Sequence, residues 1–175
     1  EKIQNYIPIY NVFFNLNDTN YNSINLNNFN KLYDLTEKIN YSKFKGKIKD
    51  TNDNIKEKSI FFKYSPLIDP VKYMIGKYET SYNIFEIPKI NNNENIPEKF
   101  LNNNNSAYVD AIFSFLSSIL LNKYNFYNGI DYYGCFTGIK NNFIVDIEED
   151  IEYLNESDFF HENYKKNFIL ENNTN

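Results

Sequence analysis

The 175-residue chain has no arginine, no tryptophan, one cysteine, one histidine, five glycines and five prolines. Each shortage removes a class of chemistry. Without arginine there is no bidentate clamp for phosphate or carboxylate, so anion recognition falls to lysine point charges and backbone N–H groups. The lone Cys135 cannot form an internal disulfide, which fits a reducing, intracellular compartment. With His161 as the single histidine, cysteine and histidine alone cannot fill a zinc site. Cys135 lies among aromatic residues, where a small buried thiol is the ordinary role, so no Cys–His catalytic pair is expected. A serine nucleophile would lack both a base and the GxSxG setting. No apolar run reaches 18 residues, so no membrane span is expected. The residues offer neither a metal site nor a catalytic constellation.

What the chain has in excess is asparagine, with 33 residues, together with 16 tyrosines and 16 phenylalanines. Asn, Lys, Ile, Tyr and Phe are what an A+T-rich coding sequence supplies, so this bias reports on the genome rather than on mechanism. The five Asn-x-Ser/Thr triplets follow from the same excess and do not imply secretion. A 42% hydrophobic fraction in 175 residues is enough for one domain with a core. The net charge of −5 and a pI near 5.0 argue against a nucleic-acid partner, which would call for a basic face. One local exception is YSKFKGKIKD, with Lys43, Lys45, Lys47 and Lys49 at every second position. In a strand these share one face, and they read as a charged edge guarded against aggregation.

Along the chain, residues 5–16 (NYIPIYNVFFNL) read as a strand broken or started by Pro8, and Asn17–Asn30 as a polar loop. LYDLTEKI, from Leu32 to Ile39, has the spacing of a short helix. A loop or edge hairpin is expected around Gly46, and a strand over Ser59–Leu67. Asp69 and Pro70 form a helix start, with Val71, Met74, Ile75 and Tyr78 on one face. Ile84–Ile90 reads as a short strand, and Asn91–Asn105 as a surface loop. SAYVDAIFSFLSSILLNKY then predicts a long helix capped by Ser106 and apolar around most of its circumference, hence buried on more than one side. Asp110 is the only charge within its apolar stretch, placed either for the helix dipole or for a specific cation.

Three of the five glycines, Gly129, Gly134 and Gly138, fall in GIDYYGCFTGIKNNFIVDI. Their spacing is neither GxGxxG nor GxxxxGK[ST], and no helix start follows, so the stretch reads as a hairpin turning at KNN rather than a phosphate loop. EEDIEYL reads as an acidic helix start, matching no EF-hand, and DFFHENYKKNFIL as a further short element. The class is α+β, a small antiparallel sheet with one long buried helix and Asn-rich loops. Its expected parts are residues 1–58 (N-terminal strand and Asn/Lys-rich loops), 59–170 (the α+β core) and 171–175 (a tail).

One ordered set points further. IFFK (Ile60–Lys63), the Ser106–Lys123 helix carrying Asp110, and NGIDYYGCFTGI resemble the third strand, following helix and fourth strand of a protein-kinase N-lobe. In that family a strand lysine holds phosphate oxygens and pairs with a helix glutamate. The resemblance gives Lys63 the first role and Asp110, one methylene shorter than Glu, the second. FFKYSPLIDPVKYMIGKY, SAYVDAIFSFLSS and GIDYYGCFTGIKNNFIVDIEEDIEYLNESDFFH also resemble the N-terminal part of protein-kinase-like proteins of giant (nucleocytoplasmic large) DNA viruses, over about residues 60–161. That resemblance implies an acidic segment and a C-terminal kinase-like lobe to follow, ATP and Mg²⁺ in the full protein, and a host-cytoplasm or virion location. The chain has no GxGxxGxV before Lys63, no HRD-type loop and no DFG. The implied role is therefore an N-lobe-like portion that is not catalytic on its own. The alternative is a non-catalytic interaction or scaffold module, binding a virion component or host factor.

Overall fold

Strand pairing dominates residues 30–61, including a segment whose apolar spacing imitates a helix. The structure, a computed structural model, describes residues 2–78 except 25 and 27, and residues 81–171. Strands β2 (Asn30–Lys38), β3 (Lys43–Asp50) and β4 (Ile55–Phe61) form an antiparallel meander in that order. A second, two-stranded sheet pairs β1 (Ile3–Gln4) with β5 (Thr137–Gly138). The helices are α1 (Tyr10–Phe13), α2 (Pro70–Met74), α3 (Glu98–Leu101), α4 (Ser106–Tyr124), α5 (Ile151–Asn155) and α6 (Asp158–Asn163). The chain is thus α+β, with a small antiparallel sheet and one long helix.

The helix expected over Leu32–Ile39 is instead most of β2, and the register shows why. Two irregularities interrupt its pairing with β3, between Leu32 and Asp34 and between Leu35 and Glu37. Each inserts an extra residue, so the residues opposite Ile48, Gly46 and Phe44 are Leu32, Leu35 and Lys38. Two bulges convert a period of two into a period of three, which the sequence cannot distinguish from a helical stripe. The same register sets Asp34 and Glu37 opposite Lys47 and Lys45, with Glu37 in ion-pair contact with Lys45 at 2.7 Å. The lysine row does share one face. It lies on the central strand, however, not on a sheet edge, and its charge is met by acids on both neighbours, Glu57 of β4 included. Gly46 sits in mid-strand rather than at a turn, and the reversal falls at residues 50–54, where the Asp50 carboxylate accepts from the Asn52 and Asn54 amides. The strand expected from Ser59 begins earlier and ends at Phe61, so β4 runs through the boundary drawn between residues 58 and 59.

Other corrections have similarly local causes. Residues 5–16 are not a strand: Pro8 lacks a donor and suits a helical first turn, and Tyr10–Phe13 is helical. Residues 84–90 are not a strand: a turn at 84–85 leads into a stretch without regular structure, in which the Pro88 carbonyl accepts from Gln4 Nε2 at 2.6 Å. The Asn91–Asn105 segment is not wholly a surface loop, because it holds α3 and buries Ile96 and Phe100. Asp69 and Pro70 start α2 as expected, the Asp69 side chain accepting from the Val71 and Lys72 amides. That helix stops at Met74, with Gly76 following at φ +74°, close against the Phe159 ring. Residue 1 and residues 172–175, part of the expected tail, lie outside the described residues.

Helix α4 covers the expected span, but its N-cap is Asn105, whose side chain accepts from the Ala107 amide, and not Ser106. Asn125 closes it in the left-handed conformation. The helix is buried on one side only. Tyr108 and Ser118 are buried, while Phe113 and Tyr124 are 65% and 63% exposed. Its buried side joins Ile7, Ile9 and Tyr10 in one cluster, with Val109, Ile112 and Cys135 packed against it. A second cluster forms around Met74, Leu154 and Phe160.

The hairpin expected over Gly129–Ile147 does not form. Thr137 and Gly138 pair with Gln4 and Ile3 instead, and the Tyr133 carbonyl accepts from the Leu32 amide at 2.9 Å. Backbone groups that a hairpin would need are already engaged by distant segments. Asn142, in the expected turn, does take a positive φ of 49°.

Candidate functional site

The exit of β4 presents Lys63 to α4. Past Phe61 the Phe62 amide still donates to the Ser42 carbonyl, keeping the chain extended. Alternation then puts Phe62 and Tyr64 on one side and Lys63 on the other. An aromatic column fixes the first side: Phe44 packs edge-on to Phe62, Phe62 stacks on Tyr64, and Tyr64 meets Tyr41. Lys140 covers that column, its ammonium 4.7 Å from the Tyr41 ring centre and 5.3 Å from that of Tyr64.

On the other side Lys63 Nζ lies 2.8 Å from Asp110 Oδ2 and donates to Asp110 Oδ1 at 2.9 Å. The two candidate residues, 47 apart in sequence, are therefore brought together, and of the two roles open to Asp110 the structure supplies a specific cation. The pair is open to water, with the Lys63 side chain 64% exposed. By itself such a pair contributes about 0–1 kcal/mol, so folding does not require it.

The pair stands on the wall of an open groove of about 500 Å³, lined also by Ser65, Asp69, Lys99 and Ser106. Two lysines and two aspartates balance there, and Asp69 is further engaged by Lys72 at 3.7 Å. Such a groove suits a ligand with an anionic end and a polar body. Lys63 and Lys99 would meet the anion, while Asp69 is taken up by the start of α2 and Asp110 by Lys63. Lys99 was not visible as a site residue in the sequence, because it stands in the Asn-rich segment, where only α3 places it against the start of α4.

Cys135 and His161 remain apart in role. Cys135 packs in the first cluster, while the His161 ring lies against Phe160 of the second and its Nε2 is 2.8 Å from the Asn155 carbonyl oxygen. Burial, reinforced by the Asp110 charge, pushes the Cys135 thiol up to about 11 from an ordinary 9.0. Burial likewise raises Tyr10, Tyr108 and Tyr132 above their ordinary 10.0. All four are raised in the folded state, so their neutral forms contribute stability that is complete below pH 9. That contribution is lost as pH rises through 9–11 for Cys135 and above 10 for the tyrosines. Urea midpoints should hold from pH 7 to 9 and then fall, with Cys135→Ala removing the first part of the fall. A midpoint that stays level to pH 10.5 would contradict this.

Among the described residues no cluster of three His, Cys, Asp or Glu could hold a metal ion, and no helix is long and apolar enough to cross a membrane. No family model, no curated protein and no solved structure matches this chain.

Proposed function

We propose that this chain is the N-lobe-like, nucleotide-facing portion of a protein-kinase-like protein of giant DNA viruses. It is not catalytic alone and is completed by a C-terminal kinase-like lobe or another protein. The observation that carries this reading is the 2.8 Å pairing of Lys63, just past the third strand of a meander, with Asp110 in the early turns of the long helix. A lysine so placed is exposed and oriented by its carboxylate, which suits a group whose ammonium donates both to phosphate oxygens and to its acidic partner. With no arginine in the chain, this lysine and Lys99 are what the groove offers to a phosphate. ATP and Mg²⁺ are the ligands this reading assigns. The missing GxGxxGxV leaves the phosphates without a covering loop and favours the interaction-module alternative for activity, while the Lys63–Asp110 pair favours kinase-like ancestry.

A thermal-shift titration tests it. Ligand at 100 times its Kd adds about 2.7 kcal/mol, a rise of several degrees for a chain of this length. ATP with Mg²⁺ at millimolar concentration should raise the Tm of the wild type and not that of Lys63→Ala. Equal responses from the two would overturn the reading. A second reading, a non-catalytic interaction module, is favoured by the amount of apolar surface that the fold leaves exposed, above all on α4.

A further inference from the structure

Helix α4 carries no charged residue between Asp110 and Lys123, yet one side of those turns faces water. Phe113, Leu116, Leu120 and Tyr124 recur at spacings of three, four and four, which puts them in one stripe about 16 Å long. Past the left-handed cap at Asn125 the chain turns back along the helix. The Phe126 amide donates to the Leu120 carbonyl, and the Ile130 amide donates to Ser117 Oγ at 2.9 Å. This return adds Phe126 and Tyr127 to the exposed apolar surface at the end of the stripe, and the six side chains are between 45% and 87% exposed.

We infer that this face is the interface of a symmetric dimer, in which α4 packs antiparallel against α4 of a second copy of the chain. Three observations select a second copy as the occupant. The first is area: at about 200 Å² for a whole aromatic residue and about 170 Å² for leucine, the six expose about 700 Å², close to the roughly 800 Å² per partner of a stable interface. The second is self-complementarity. A two-fold axis at Leu116–Ser117 sets the Phe113 of each copy against the Leu120 of the other, large against smaller. The third is charge. The middle of the face has no charge, while its ends carry Asp110 and Lys123, the latter 5.4 Å from the Tyr124 ring centre. An antiparallel second copy sets these opposite signs against each other and opposes the two helix dipoles favourably. Ser117 Oγ already accepts a hydrogen bond, so burying it leaves that acceptor satisfied. The inference does not rest on the nucleotide reading. The two-fold register nevertheless brings Lys123 of each copy opposite Asp110 of the other, at the edge of the groove, so the oligomeric state is measured without nucleotide.

Sedimentation equilibrium of the 175-residue chain at concentrations from about 1 to 100 µM tests it, on the scale of micromolar affinities. The expected mass approaches twice 20.9 kDa. Leu116→Glu should give the monomer mass at every concentration with an unchanged far-UV spectrum, because Leu116 lies outside both core clusters. Mixing Phe113→Cys with Leu120→Cys should give an oxidised, cross-linked heterodimer, whereas Phe113→Cys alone should not cross-link. A wild-type monomer at 100 µM would overturn the dimer and leave the face to a different protein. A dimer that survives Leu116→Glu, or cross-linking by Phe113→Cys alone, would overturn the proposed packing.

Discussion

Tyr108→Ala should lower the stability of the chain by about 3–5 kcal/mol, the range for truncating a buried large aromatic. Tyr108 is 2% exposed and joins α4 to Ile7, Ile9 and Tyr10, so the cavity would open where the N-terminal segment meets the long helix. Its hydroxyl donates to the Phe100 carbonyl at 2.8 Å, which ties α3 to the same helix. Tyr108→Phe separates the two contributions, since it keeps the ring and loses only that bond, at about 1 kcal/mol. Urea unfolding with an unchanged m-value would measure both. A loss below about 1 kcal/mol for Tyr108→Ala would mean that the N-terminal segment does not pack on α4 as described.

Gly46→Ala offers a test of opposite sign to the usual expectation. Glycine in a strand interior normally weakens it, and alanine would ordinarily stabilise by about 0.5–1 kcal/mol. Here a Cβ on Gly46 would lie 2.5 Å from the Asp34 carbonyl oxygen and 2.6 Å from Ile60 Cδ1. Ile60 is 3% exposed and has little room to withdraw, while Asp34 lies between the two irregularities of β2. Overpacking against backbone should cost about 3 kcal/mol and disturb the β2–β3 register. An Ala variant as stable as the wild type would contradict the bulged pairing.

These two positions also show where the sequence could and could not be read. Local signals suffice for the span of α4, through its apolar run though not its cap, and for α2, which the Asp69–Pro70 pair starts. Asp110 stands out as the one acid in an apolar helix, whereas Lys63 enters through the resemblance to a kinase N-lobe, and the structure sets the two 2.8 Å apart. Strand β2 was not legible, because its two bulges give Leu32, Leu35 and Lys38 the spacing of a helix face. The 129–147 stretch failed for a different reason. It carries the alternation of a hairpin, yet its partners, Ile3, Gln4 and Leu32, lie about a hundred or more residues earlier in the chain. Pairing over such separations leaves no trace within a local window. Helix α4 is buried on one side although apolar around most of its circumference, because apolar content does not say which side the fold covers.

The most direct measurement is an amide NMR titration of the chain with ATP and Mg²⁺, run beside Lys63→Ala. Lys63 is exposed and its ion pair contributes little to folding, so the variant should keep the wild-type spectrum away from the groove. A nucleotide-facing lobe predicts saturable shifts at Lys63, Ser65, Lys99, Ser106 and Asp110, lost in the variant. A spectrum unmoved at millimolar ATP, or shifts confined to other surfaces, would contradict it.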